Sequence, residues 1–127
     1  MDIRIYYEDT DSGGVVYYAN YLRYFERART EYLEGRGIFV KECILRGFFF
    51  VVAHQDIDYK APALYADILH IETKVSKISS ASVIFDYVVK NKKTNQLIAT
   101  ASTTLVCVNK DIQPIKIPPE IKEKLLN

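Results

Sequence analysis

The chain has 127 residues and a formal net charge of +1, with 17 lysines and arginines against 16 aspartates and glutamates. That length holds one domain, 1–127, able to hide roughly two-thirds of its unfolded surface, and the near-neutral balance lacks the basic excess of a dedicated nucleic-acid binder. With 49% hydrophobic and 26% charged residues, the chain is neither disordered nor collagen-like.

Met1-Asp2-Ile3-Arg4 carries no basic region followed by an apolar stretch, so no signal peptide is expected. Ile3, Ile5 and Tyr7 alternate with polar positions and predict a short first strand. The polar stretch Glu8-Asp9-Thr10-Asp11-Ser12-Gly13-Gly14 reads as an irregular loop. From about Tyr18 the period changes: Leu22, Phe25, Ala28, Tyr32 and Leu33 recur at helical spacing, with Arg23, Glu26, Arg27, Thr30, Glu31 and Glu34 opposite them. This predicts an amphipathic helix of about 17 residues, ~26 Å long, ended by Gly35 and Gly37.

After a mixed segment, 38–47, the spacing predicts four strands, over 51–60, 68–78, 81–90 and 97–108, with a polar hairpin tip at 91–95. Pro118-Pro119 then opens a short amphipathic tail. The longest apolar run, Phe48-Phe49-Phe50-Val51-Val52-Ala53, is far short of the ~20 residues of a membrane-spanning helix. Cys43 and Cys107 have no metal-ligand spacing and cannot build a disulfide framework. We therefore expect reduced, buried thiols in a cytoplasmic protein.

One long helix followed by consecutive long strands implies an α+β fold, an antiparallel sheet packed on one central helix. One helix covers only one face of such a sheet, while 81–90 and 97–108 carry apolar residues on both alternating sets. A homodimer at least is expected.

The reactive inventory is small. His54 and His70 both fall inside predicted strands and read as structural, and no nucleophile elbow, phosphate loop or zinc-binding histidine pair is present. The unusual segment is the acidic loop leading into the helix. It reads either as a solvated or helix-capping turn, or as a catalytic one. The start of a helix offers unpaired N–H groups and partial positive charge. A carboxylate beside it can attack a carbonyl or activate water while those N–H groups polarise the oxygen. A metal site on Asp9 and Asp11 lacks any further ligand cluster.

The stretch Tyr6-Tyr7-Glu8-Asp9-Thr10-Asp11-Ser12-Gly13-Gly14-Val15-Val16-Tyr17-Tyr18-Ala19-Asn20-Tyr21, continuing to Leu33, resembles the signature of hotdog-fold acyl-CoA thioesterases. It is most similar to the YbgC-type branch of the 4-hydroxybenzoyl-CoA thioesterase family. Weaker likeness runs through Asp56-Ile57-Asp58-Tyr59-Lys60-Ala61-Pro62-Ala63 and Thr104-Leu105-Val106-Cys107-Val108-Asn109. The resemblance implies an antiparallel sheet wrapped around one long central helix, and hydrolysis of acyl-CoA to a free acid and CoA without cofactor or metal. It also implies dimers, often paired into tetramers, with active sites at the subunit interface.

By this likeness Asp11 matches the catalytic carboxylate, as nucleophile or general base, and Tyr7 matches a site-lining tyrosine. Tyr18 stands where many YbgC-type proteins have histidine, and its backbone N–H matches the group that polarises the thioester carbonyl. Lys60 and Lys77 are the lysines considered for the CoA phosphates. Two other readings keep the fold. A hydratase needs an Asp–His pair or a helix histidine, and no histidine lies between Asp9 and Gly37. The other is a non-catalytic scaffold binding acyl-CoA or acyl carrier protein among lipid-synthesis enzymes.

Overall fold

In the computed structural model, which describes residues 1–127, every long strand follows the long helix. The elements are β1 (Asp2–Arg4), α1 (Asn20–Gly35), α2 (Val40–Leu45), β2 (Phe48–Tyr59), β3 (Ile68–Ile78), β4 (Ser82–Asn91), β5 (Leu97–Asn109) and α3 (Pro119–Leu126). A single 3-10 turn covers Tyr7–Asp9. The strands form one antiparallel sheet in the order β1-β3-β4-β5-β2. The α+β hotdog arrangement expected from the sequence is what forms: the sheet curls around α1, and its inner rows make one core with the helix.

Helix α1 buries Tyr21, Tyr24, Phe25, Ala28 and Leu33. Phe25 stacks on Tyr87 of β4 with centroids 4.5 Å apart, and Tyr32 meets Phe85 edge-on at 5.7 Å. The buried stripe is rotated from the expected one. Leu22 is 46% exposed, and Tyr21 and Tyr24 are buried instead. The 3.6-residue period fits either neighbouring stripe, and the choice is made by the large rings that fill the space under the sheet.

Other differences have local causes. The first strand stops at Arg4 because the Asp9 carboxylate accepts the Tyr6 N–H at 2.8 Å and starts a turn at Tyr7. Ile5 remains fully buried, held through its N–H to the Asp67 carbonyl at 2.8 Å. Helix α1 begins at Asn20 and has 16 residues. The 38–47 segment contains the six-residue α2, too short to print a helical period. Strand β2 begins at Phe48, and a bulge between Val52 and His54 shifts its register. Across the bulge Phe50, Val52, Gln55, Ile57 and Tyr59 pair with Cys107, Leu105, Thr103, Ala101 and Ala99. An extra residue thus returns the apolar set to the inner face after the alternation has slipped.

His54 is exposed near Asp56, while His70 Nδ1 lies 2.7 Å from Asp2 Oδ1 and ties β1 to β3. Cys43 and Cys107 are free and buried, and burial pushes both thiols up, away from the reactive thiolate. No helix is long and apolar enough to cross a membrane.

The Tyr87 hydroxyl is buried with no hydrogen-bond partner. A buried, unsatisfied hydroxyl costs about 1–3 kcal/mol. Tyr87→Phe is therefore expected to leave stability unchanged or raise it by about 1 kcal/mol, read as an unchanged or higher urea midpoint at the same m-value. A clear drop would mean the hydroxyl has a partner after all.

Candidate active site

The acidic loop is an ordered small hairpin. Thr10 and Val16 pair across it, the Asp11 N–H donates to the Val15 carbonyl at 2.9 Å, and the Gly14 N–H donates to the Asp11 carbonyl at 3.0 Å. Gly14 takes φ +83°, a conformation open to glycine at little cost. The Gly13 N–H donates to Asp11 Oδ1 at 2.8 Å, so the turn itself orients this carboxylate. Its other oxygen makes no hydrogen bond within the protomer, and the residue is exposed.

Four contacts fix this hairpin, two on the segment after β2 and two at the approach to α1. The Val16 N–H donates to the Ala63 carbonyl at 2.9 Å, and Val15 bridges Leu64. The Asp9 carbonyl accepts both the Tyr17 N–H and Asn20 Nδ2, each at 2.9 Å. Asp9, the first aspartate of the Asp-Thr-Asp motif, is thus an organiser: its carboxylate holds the turn before the hairpin and its carbonyl holds the helix start. Asp11, the second, is left facing outward.

Between hairpin and helix, the Tyr18 and Ala19 N–H groups donate to no backbone carbonyl. Their directions follow from peptide planarity. The Tyr17 carbonyl turns into the first helical turn and accepts the Asn20 N–H at 2.9 Å. The Tyr18 N–H belongs to the same trans peptide and points the opposite way, out of the helix. The next peptide is pinned from the sheet, because the Tyr59 hydroxyl donates to the Tyr18 carbonyl at 2.8 Å. Partial burial pushes Tyr59 up, so this hydroxyl stays protonated and the clamp persists through neutral pH.

A cleft of about 320 Å³ opens beside these peptides, walled by Val15, Val16, Tyr18, Tyr21, Tyr59 and Lys60. Tyr21 meets Tyr59 edge-on at 5.4 Å, and burial pushes its hydroxyl up to about 12. Tyr18 is 64% exposed, with its ring centroid 4.8 Å from that of Tyr17. Asp11 caps the hairpin whose returning strand walls the cleft, but within one protomer it does not line the cleft itself. Tyr7 is 80% exposed and packs edge-on against Tyr65, and its carbonyl receives the Thr10 hydroxyl at 2.7 Å. Lys60 borders the cleft, whereas Lys77 lies on β3 opposite Ile84 and does not line it. No three His, Cys, Asp or Glu side chains gather into a metal-ligand set.

Sequence reasoning did not single out Tyr59 as an orienting group, because its partner lies 41 positions away. Asn20 was missed as well: it is the first residue of α1, and its amide donates to the Asp9 carbonyl 11 positions back instead of capping the helix.

The family model described as the thioesterase-like superfamily matches residues 6–125. The acyl-CoA thioesterase YbgC of Haemophilus influenzae is 39% identical over 123 residues, covering 94% of this chain and 88% of that protein. The acyl-CoA thioester hydrolase YbgC of Escherichia coli is 37% identical over 122 residues, covering 96% and 87%. Among solved structures, a 1,4-dihydroxy-2-naphthoyl-CoA thioesterase from Synechocystis superposes with a TM-score of 0.93 at 25% identity, covering 100% of this chain and 94% of that one.

Proposed function

Because the chain belongs to the thioesterase-like superfamily, we propose that it is an acyl-CoA thioesterase, hydrolysing acyl-CoA to a free acid and CoA with Asp11 as the catalytic carboxylate. The observation that carries this reading is the joint orientation of two groups by one loop. The Gly13 N–H fixes one oxygen of Asp11 and leaves the other free, while the Tyr18 N–H faces out of the helix unpaired.

In the proposed reaction the thioester carbonyl sits at the Tyr18 N–H, which stabilises the oxyanion as it forms. The Asp11 carboxylate, with one oxygen held by the Gly13 N–H and the other free, is the reacting group. It either attacks the carbonyl carbon, expelling the CoA thiolate and leaving an anhydride that water opens, or takes a proton from water as the water attacks. Both routes end in the same acid and thiol, and neither draws on a cofactor. Tyr7 contributes to the rim of the site through its exposed ring.

A homodimer completes the site in this proposal, and its support is the long edge strand. β2 exposes an unpaired rim on a sheet edge, with Val52 52% exposed. Antiparallel pairing with a second β2 brings the Tyr59 end of one protomer beside the Phe49 and Phe50 end of the other. An apolar cavity of about 260 Å³ opens there, walled by Leu33, Ile38, Ile44, Phe50 and Leu105. It is suited to the acyl group. Pairing of such dimers into tetramers, a cytoplasmic location and a place in lipid metabolism belong to the same proposal.

The test is a panel of short-chain, aromatic and long-chain acyl-CoA with the released thiol trapped. Turnover of at least one class is the expected result. Saturable binding of the esters with no thiol release would select a non-catalytic acyl-CoA or acyl-carrier-protein scaffold instead.

A further inference from the structure

The first turn of α1 departs from regular helical bonding at Tyr18. In a regular helix the Leu22 N–H would bond to the Tyr18 carbonyl, four positions back. Here it donates to the Ala19 carbonyl at 3.2 Å, and no backbone N–H reaches the Tyr18 carbonyl. The bond that this carbonyl does accept comes from the sheet, from the Tyr59 hydroxyl at 2.8 Å.

The phenol is firmly mounted. Tyr59 ends β2 and pairs with Ala99 of β5. Directly after it, the Lys60 and Ala61 N–H groups both donate to the Ile98 carbonyl, at 2.8 and 3.2 Å. Its ring lies edge-on to that of Tyr21, with centroids 5.4 Å apart. Tyr18 therefore has both flanking peptides held. The one before it is held by the Asn20 N–H on the Tyr17 carbonyl at 2.9 Å, and the one after it by Tyr59. A trans peptide carries its C=O and N–H on opposite sides, so fixing the Tyr18 carbonyl also fixes the direction of the Ala19 N–H. Successive N–H groups at a helix start point out of the same end.

We propose that Tyr59 is a positioning residue for thioester hydrolysis: its hydroxyl holds the Tyr18–Ala19 peptide so that the Tyr18 and Ala19 N–H groups form a preset pair of donors for the thioester oxygen. This rests on the thioesterase reading above and adds to it a second donor and the side chain that sets it. Preset donors stabilise charge as it develops, with no reorganisation at the moment of reaction. The hydroxyl therefore acts on the transition state more than on the bound ester. The ring has a separate part, as a wall of the cleft.

The test is Tyr59→Phe in the full chain, assayed with the acyl-CoA that the wild type turns over fastest. Phenylalanine keeps the ring on the cleft wall and loses only the hydroxyl. The expected result is a kcat lower by about 10- to 100-fold, a part of what losing a whole oxyanion donor costs, with KM within about twofold of wild type. Amide hydrogen exchange followed by NMR reads the clamp without turnover. Exchange at Asn20 and Leu22 is expected to quicken about fivefold, the worth of one net hydrogen bond, while Ala28 in mid-helix is unchanged. An unchanged kcat, or a KM that rises while kcat holds, would overturn the assignment, as would unchanged exchange at both amides. A wild type that releases thiol from no ester defeats the thioesterase reading, and the exchange rates then decide the clamp by themselves.

Discussion

Asp11→Asn is expected to lower kcat for acyl-CoA hydrolysis by about 10²–10⁴-fold, the range seen when a positioned acid–base group is lost, with the melting temperature unchanged. Asparagine keeps an oxygen that can accept the Gly13 N–H, now made by Oδ1 at 2.8 Å, so the turn survives. What disappears is the negative charge and the basic lone pair on the other oxygen. The loss should therefore fall on kcat and leave the binding of intact acyl-CoA within severalfold of wild type. Asp9→Ala provides the contrast. It leaves no side-chain oxygen for the Tyr6 N–H, so it is expected to loosen the loop and lower stability along with activity. Turnover by Asp11→Asn equal to that of wild type would remove Asp11 from the mechanism.

Phe25→Ala is expected to destabilise the chain by about 3–5 kcal/mol, the usual cost of emptying a buried aromatic position, and to lower Tm by roughly 10–20 °C. Phe25 is fully buried, stacks on Tyr87 and packs near Tyr21, whose ring in turn meets Tyr59 in the cleft. The substitution removes the main ring that anchors α1 to β4. Activity is expected to fall below the level explained by the unfolded fraction, because the outward direction of the Tyr18 N–H depends on a helix held still against the sheet. Chemical denaturation and kcat measured well below Tm check the two effects separately. A loss below about 1 kcal/mol would show that the core closes over the vacated space.

Much of this architecture was legible from local pattern. The strand breaks, the polar tip at 91–95 and the helix leading to Gly35 follow from periodicity and turn chemistry, and Asn95 at φ +63° occupies that tip. The proline-led tail forms as expected, over Pro119–Leu126, with Ile121 and Leu125 buried. Leu22 shows where pattern stops being enough. It has the spacing of a core residue, yet it is half exposed, because the same helical period admits a neighbouring stripe and only the rings it must fit decide between them.

What the residues determined alone is the set of long elements and the local loop chemistry, since period, turn propensity and the Asp11–Gly13 contact act over a few neighbours in the chain. What only the tertiary structure decided is every relation across distance. The Tyr59 hydroxyl reaches the Tyr18 carbonyl over 41 positions, the β2 bulge moves Gln55, Ile57 and Tyr59 inward, and Arg4 joins Arg23 and Arg27 in one groove. Such pairings depend on how the sheet curls and which ring fills which space. These are packing energies summed over the whole core, and they leave no periodic trace in the sequence.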